Sequence, residues 1–77
     1  MKELIKGIAQ ALVDHPEEVV VTEHKKDKLT VLALHVAPGD IGKVIGKQGR
    51  IAKAIRNVLK AYAIKNDIHV VLDIVSD

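Results

Sequence analysis

The chain has no cysteine, tryptophan or phenylalanine, and only one tyrosine. Without cysteine there are no disulfides and no thiolate for a metal or a covalent intermediate, and a reducing cytoplasm is the expected compartment. The lone aromatic, Tyr62, cannot build the stacking platform of RRM or OB-type nucleic-acid binders. The only serine is Ser76, near the C-terminus, so covalent catalysis would have only an unactivated lysine to use. The four histidines, His15, His24, His35 and His69, include no helical i, i+4 pair, and no acid is placed like their metal-site partner. A P-loop is excluded because the longer glycine-to-GK[ST] pattern is missing. No apolar run approaches the roughly 18–20 residues that span a bilayer. Met1 to Lys6 mixes charge into its apolar residues, unlike a secretion signal. The expectation is a protein that is not an enzyme, carries no cofactor or metal and does not enter a membrane.

What is present is one small domain of 77 residues, 48% hydrophobic and 29% charged, the balance of a soluble globular protein. Its net charge of +2 conceals a division. Between Ile41 and Lys60 stand Lys43, Lys47, Arg50, Lys53, Arg56 and Lys60, with no acid among them. The remainder holds six basic and ten acidic residues, so the charge divides as +6 and −4. A basic segment on an otherwise acidic domain fits a polyanionic partner; a solvated helix face is the simpler use of the same charges.

Hydrophobic spacing predicts an amphipathic helix over residues 2–14, ended by Asp14-His15-Pro16. Val19 to His24 reads as a strand, Lys25 to Lys28 as a polar turn, and Leu29 to Val36 as a second strand closing a hairpin. Asp40 is placed to N-cap a short helix from Ile41 to Ile45. A long helix then runs from near Gly49 to Ile64, with Ile51, Ala54, Ile55, Val58, Leu59 and Tyr62 as its apolar stripe. Ile68 to Val75 is the last strand, with Ile68, Val70, Leu72 and Ile74 on one face. The order α-β-β-α-α-β predicts an α+β fold, a three-stranded mixed sheet with three helices on one face.

The chemistry concentrates in Gly46-Lys47-Gln48-Gly49, a turn between two helices. The glycines let another backbone approach closely. The helix opening at Gly49 turns unpaired N–H groups and the positive end of its dipole outward. Lys47 and Arg50 add full charges, completing a cradle for consecutive phosphates.

A GxxG in this context, preceded by Val44-Ile45 and set within this element order, resembles the KH family in its type II form. The likeness spans essentially the whole chain and is nearest the short bacterial single-KH RNA-binding proteins of the KhpA type. It implies a loop that clamps about four nucleotides of single-stranded RNA. Gly46, Lys47, Gln48 and Gly49 would grip phosphates. Gly42, Ile45 and Ala52 would floor an apolar groove, with Val70 a further candidate. Lys43, Arg50, Lys53 and Arg56 would line it. Ala52 stands where many KH domains carry a larger aliphatic residue, which implies a shallower groove and weak base selectivity. The resemblance also implies a homodimer, or a heterodimer with another KH-containing protein, and a role in post-transcriptional regulation or RNA chaperoning. The alternative is a protein-interaction or ribosome-associated module with little RNA binding of its own.

Overall fold

Leu29 to Val36 dictates the architecture, because it is apolar on both alternating faces and only one can be covered by helices. In the computed structural model, which describes residues 1–76, this segment is the central strand β2 (Leu29–Val36). It pairs antiparallel with β1 (Val20–Lys26), from Val20 opposite His35 to Lys26 opposite Leu29. It pairs in parallel with β3 (His69–Ser76), beginning with Leu29 opposite His69. The sheet order is β1-β2-β3, so β3 is an edge strand. The polar turn is shorter than expected. Strand pairing continues through Lys25 and Lys26 and leaves Asp27 and Lys28 as the loop, with Asp27 in the left-handed region at φ 53°.

Three helices cover one face: α1 (Lys2–Leu12), α2 (Ile41–Ile45) and α3 (Arg50–Lys65). Ile5 and Ala9 of α1, Val44 of α2 and Ile55 and Leu59 of α3 pack on Val21, Leu32, Leu34, Val36 and Leu72 of the sheet. Each large aliphatic side chain so buried contributes roughly 1.5–3 kcal/mol, which holds the five-residue α2 in place where it could not persist alone.

Two expectations require correction here. Asp40 is not a side-chain cap for α2. Its carboxylate is almost fully buried and accepts hydrogen bonds from the backbone N–H groups of Asp14 (3.3 Å) and His15 (3.0 Å). That draws both residues away from α1, which ends at Leu12 rather than 14. The carboxylate thus fastens the α1–β1 connection to the start of α2. The buried stripe of α3 is only partly the expected one, with Ile55 and Leu59 buried as expected. It is Ala52, Ile55, Leu59 and Ala63, with Ile51 half-buried, while Ala54, Val58 and Tyr62 are exposed. Small side chains let a helix approach a sheet closely, so here two alanines join Ile55 and Leu59 on the contact line while Val58 and Tyr62 fall outside it.

The C-terminal end of α3 closes in a Schellman motif. Ile68 N–H donates to Ala63 O (2.9 Å), Asp67 N–H donates to Ile64 O (3.3 Å), and Asp67 takes the left-handed position at φ 52°. The opposite sheet face carries no helix. Val20, Leu29, Val71 and Val75 are exposed on it, and Val31, Ala33 and His35 are half-buried.

Candidate nucleic-acid interface

The short connection between α2 and α3 packs three positive-φ residues into four positions. Gly46, at φ 79° and ψ 172°, occupies a region essentially open only to glycine. Its N–H donates to Gly42 O (2.9 Å), closing α2. A Cβ there would also lie 2.6 Å from Ile51 Cγ1, so the side chain after the loop fills the space that Gly46 leaves. Gln48 is left-handed at φ 58°, and Gly49 follows at φ 75°. Gly49 N–H donates to Gly46 O (3.1 Å), and a Cβ at Gly49 would meet nothing within 4 Å. The glycines therefore differ in use: Gly46 fits both backbone and packing, whereas Gly49 fits the backbone alone.

Lys47 and Gln48 are exposed at the tip, and α3 begins at Arg50 without a side-chain cap. The loop backbone itself satisfies Gly49 N–H, through Gly46 O, and Arg50 N–H, through Lys47 O, and the positive end of the sixteen-residue helix dipole lies beside the loop. Among the described residues, Lys47, Arg50, Lys53 and Lys60 carry no ion pair, so their charge is available to a ligand.

A groove of about 600 Å³ leads from the loop. Ile45, Gly49, Ala52, Lys53, Arg56 and Asn57 form one wall, and Asp73 and Ile74 of β3 form the other. Ala52 is buried at the floor and Ile45 is partly exposed above it. An Arg56 Nη donates to Leu72 O (3.3 Å), tying α3 to the free edge of β3. The fold thus brings Ile45, Gly49, Ala52, Lys53 and Arg56 together around one cleft, with Gly46, Lys47, Gln48 and Arg50 beside it. Gly42 and Lys43 are not among the groove-lining residues, and the Lys43 Nζ lies 3.4 Å from Asp14 Oδ2. Val70 lies farther along β3, with Leu59, Val71 and Leu72.

Sequence reasoning missed Ile74, Asp73 and Asn57. Ile74 was legible in principle, since it continues the Val70–Leu72 face of the last strand. Asp73 alternates to the open face beside Ala33 and meets the groove only because β3 is an edge. The structure also gathers ligand atoms of His15, Glu17 and Glu18 within 4.8 Å of one another, which a search for i, i+4 pairs could not find. All three are exposed on a single 3₁₀ turn, and His15 Nδ1 lies 3.5 Å from Glu17 Oε1.

No helix among the described residues is long and apolar enough to cross a membrane. Comparison with known proteins agrees with the geometry. The family model described as KhpA/KhpB, KH domain, matches residues 2–74. The RNA-binding protein KhpA of Clostridium acetobutylicum is 56% identical over 75 residues, covering 97% of this chain and all of the relative. The protein of the same name from Clostridium perfringens is 57% identical with the same coverage. That of Listeria monocytogenes is 51% identical over 97% of this chain and 99% of its own. No solved structure gives a significant match. With the α-β-β-α-α-β order, the mixed sheet and a family match spanning nearly its whole length, the chain belongs to the KhpA/KhpB family of KH domains.

Proposed function

We propose that this protein binds single-stranded RNA without catalysing a reaction, gripping phosphates with Gly46–Gly49 and the N-terminus of α3 and receiving bases in the adjoining groove. The observation that carries the reading is the set of unpaired cations, Lys47, Arg50 and Lys53, beside an uncapped helix start and a cleft floored by Ala52. Bases must be unpaired for their edges to enter a cleft between α3 and β3. The small Ala52 side chain gives little shape selection, so base preference is weak. Lys43 works near the loop as a secondary contact, and Arg56 holds the groove wall while lining it.

A site for about four nucleotides carries little information alone. Two linked sites can gain 10²–10⁴ in avidity. The protein therefore works as a homodimer or beside a second KH-containing protein, in the cytoplasm, in post-transcriptional regulation or RNA chaperoning. The names of its relatives support the RNA part of this reading, and the bare sheet face offers apolar surface for pairing.

Fluorescence anisotropy with labelled RNA tests it. Single strands should bind more tightly than a blunt duplex of equal length. The slope of log K against log salt for a tetranucleotide should be about −2, from roughly −0.7 for each of about three phosphates. A zero slope, or tighter duplex binding, would overturn the proposal.

A further inference from the structure

The groove does not end where a four-nucleotide clamp would. Arg56 lines both the loop-proximal cleft and a second hollow of about 240 Å³ bounded by Leu59, Val70, Val71 and Leu72. Val70 and Val71 in turn line a third, of about 660 Å³, with Lys60, Ile64, Ile68 and His69. Each hollow shares lining with the next, and in sequence they follow the seam between α3 and the free edge of β3 as a trough crossed by the Arg56 side chain. At 1.5 Å per helical residue, the stretch from Gly49 to Ile64 is roughly 22 Å long. Its far compartment is as large as the one beside the loop.

We infer that this trough is a single RNA track, and that the part beyond Arg56 is an extension subsite for nucleotides continuing past the four held at the loop. The inference rests on the RNA-binding reading above. Charge and continuity support it. Lys53, Arg56 and Lys60 recur at three- and four-residue spacing on α3, and all three line the trough. Lys60 carries no ion pair among the described residues. The acid at the far end, Asp67, is held by Lys28 at 2.9 Å, which leaves Lys60 and His69 to face an incoming phosphate. Between these groups the buried Ala63 and half-buried Ile68 and Val70 give an aliphatic floor, with Ile64 exposed at its rim.

The other occupant to weigh is a peptide strand added to the edge of β3. Alternation in the parallel ladder turns the backbone groups of Val70, Leu72 and Ile74 toward the trough, since His69 N–H is spent on Lys28 O. The central acceptor of that row, Leu72 O, is already taken by Arg56. A strand could not pair through the middle of the edge without displacing the guanidinium, whereas a nucleotide chain can pass over it and use its charge.

The test compares labelled oligouridylates of four and eight nucleotides on the wild-type protein and on Lys60→Glu, with Lys60→Gln as a milder second variant. At 0.1 M salt, one phosphate released from counterions is worth about fivefold, the factor 10^0.7. Lys60→Glu should weaken the octamer by at least about that factor and leave the tetramer within about twofold. The larger number of registers open to an octamer is common to all three proteins and cancels in the ratio. The salt slope of the wild-type octamer should exceed that of the tetramer by about 0.7–1.4. Equal effects on both oligomers, or none on either, would overturn the extension subsite and leave the loop-proximal reading standing. If a strand-forming peptide bound the trough and displaced neither oligomer, the far compartment would belong to protein instead. Failure of wild-type protein to bind either oligomer would remove the RNA reading and the extension together.

Discussion

The two ends of α3 set an L-residue in the left-handed region, and they treat it oppositely. At the C-terminal end Asp67 is the only such residue, and the strain returns something: two backbone hydrogen bonds satisfy carbonyls of the last turn, and the Asp67 carboxylate meets Lys28. At the N-terminal end Gln48 sits between Gly46 and Gly49, three positive-φ positions within four residues, where Gly49 N–H donates to Gly46 O and Arg50 N–H to Lys47 O. Gln48 is exposed, and no side chain caps the helix that follows. An L-residue in this region costs about 1–2 kcal/mol, somewhat less for Asp. Backbone bonds close both ends, and the difference lies in the side chain: Asp67 is met by Lys28, whereas Gln48 stands exposed where an outside partner could complete its contacts.

Charge reversal at the N-terminal end should have the largest effect. Lys47→Asp with Gln48→Asp is expected to lower RNA affinity by about 100-fold at 0.1 M salt, the product of roughly fivefold for each of about three phosphates. Thermal melting should be nearly unchanged, because both side chains are exposed. Full RNA affinity in that folded variant would remove the functional side of the contrast. Next comes Gly46→Ala, which faces an unfavourable backbone and a 2.6 Å approach to Ile51, and should lose about 2–4 kcal/mol in urea unfolding. Gly49→Ala meets no neighbour and should lose only the backbone share, about 1–2 kcal/mol. If the two glycines cost the same, Ile51 is not the reason for Gly46. The smallest change is expected at the C-terminal end. Asp67→Gly relieves the left-handed strain but gives up an exposed ion pair and some chain entropy, for a net gain of about 0.5 kcal/mol. A loss above about 1 kcal/mol would show that the contact with Lys28 matters more than its exposure suggests.

Much of this molecule is legible in its sequence, for identifiable reasons. The polar turn before it and Ala37-Pro38-Gly39 after it bound β2 at Leu29 and Val36, and a glycine-bounded basic turn between two apolar helical runs is a dense local signal. What escaped is long-range. Nothing local says that the Asp40 carboxylate reaches back to the N–H groups of Asp14 and His15 rather than forward to its own helix. Periodicity weights large side chains, so it placed Val58 and Tyr62 in the buried stripe of α3, where Ala52 and Ala63 hold the contact. The groove's second wall, Asp73 and Ile74, depends on β3 being an edge strand, a property of sheet order and not of any window of residues.

The parallel pairing of β2 with β3 has a kinetic consequence. Leu29 meets His69, and each later pair in the ladder keeps the same separation of forty residues along the chain. The hairpin of β1 and β2 closes over only two residues. Contacts so unequal in chain separation form at unequal rates, because long loops must be closed before their contacts return anything. The hairpin is therefore expected to form early and β3 to dock late. The crossover that waits on this docking contains both α2 and α3, so the cleft acquires its second wall at the final step of folding. A nascent or C-terminally shortened chain would carry the complete loop sequence without a groove beside it.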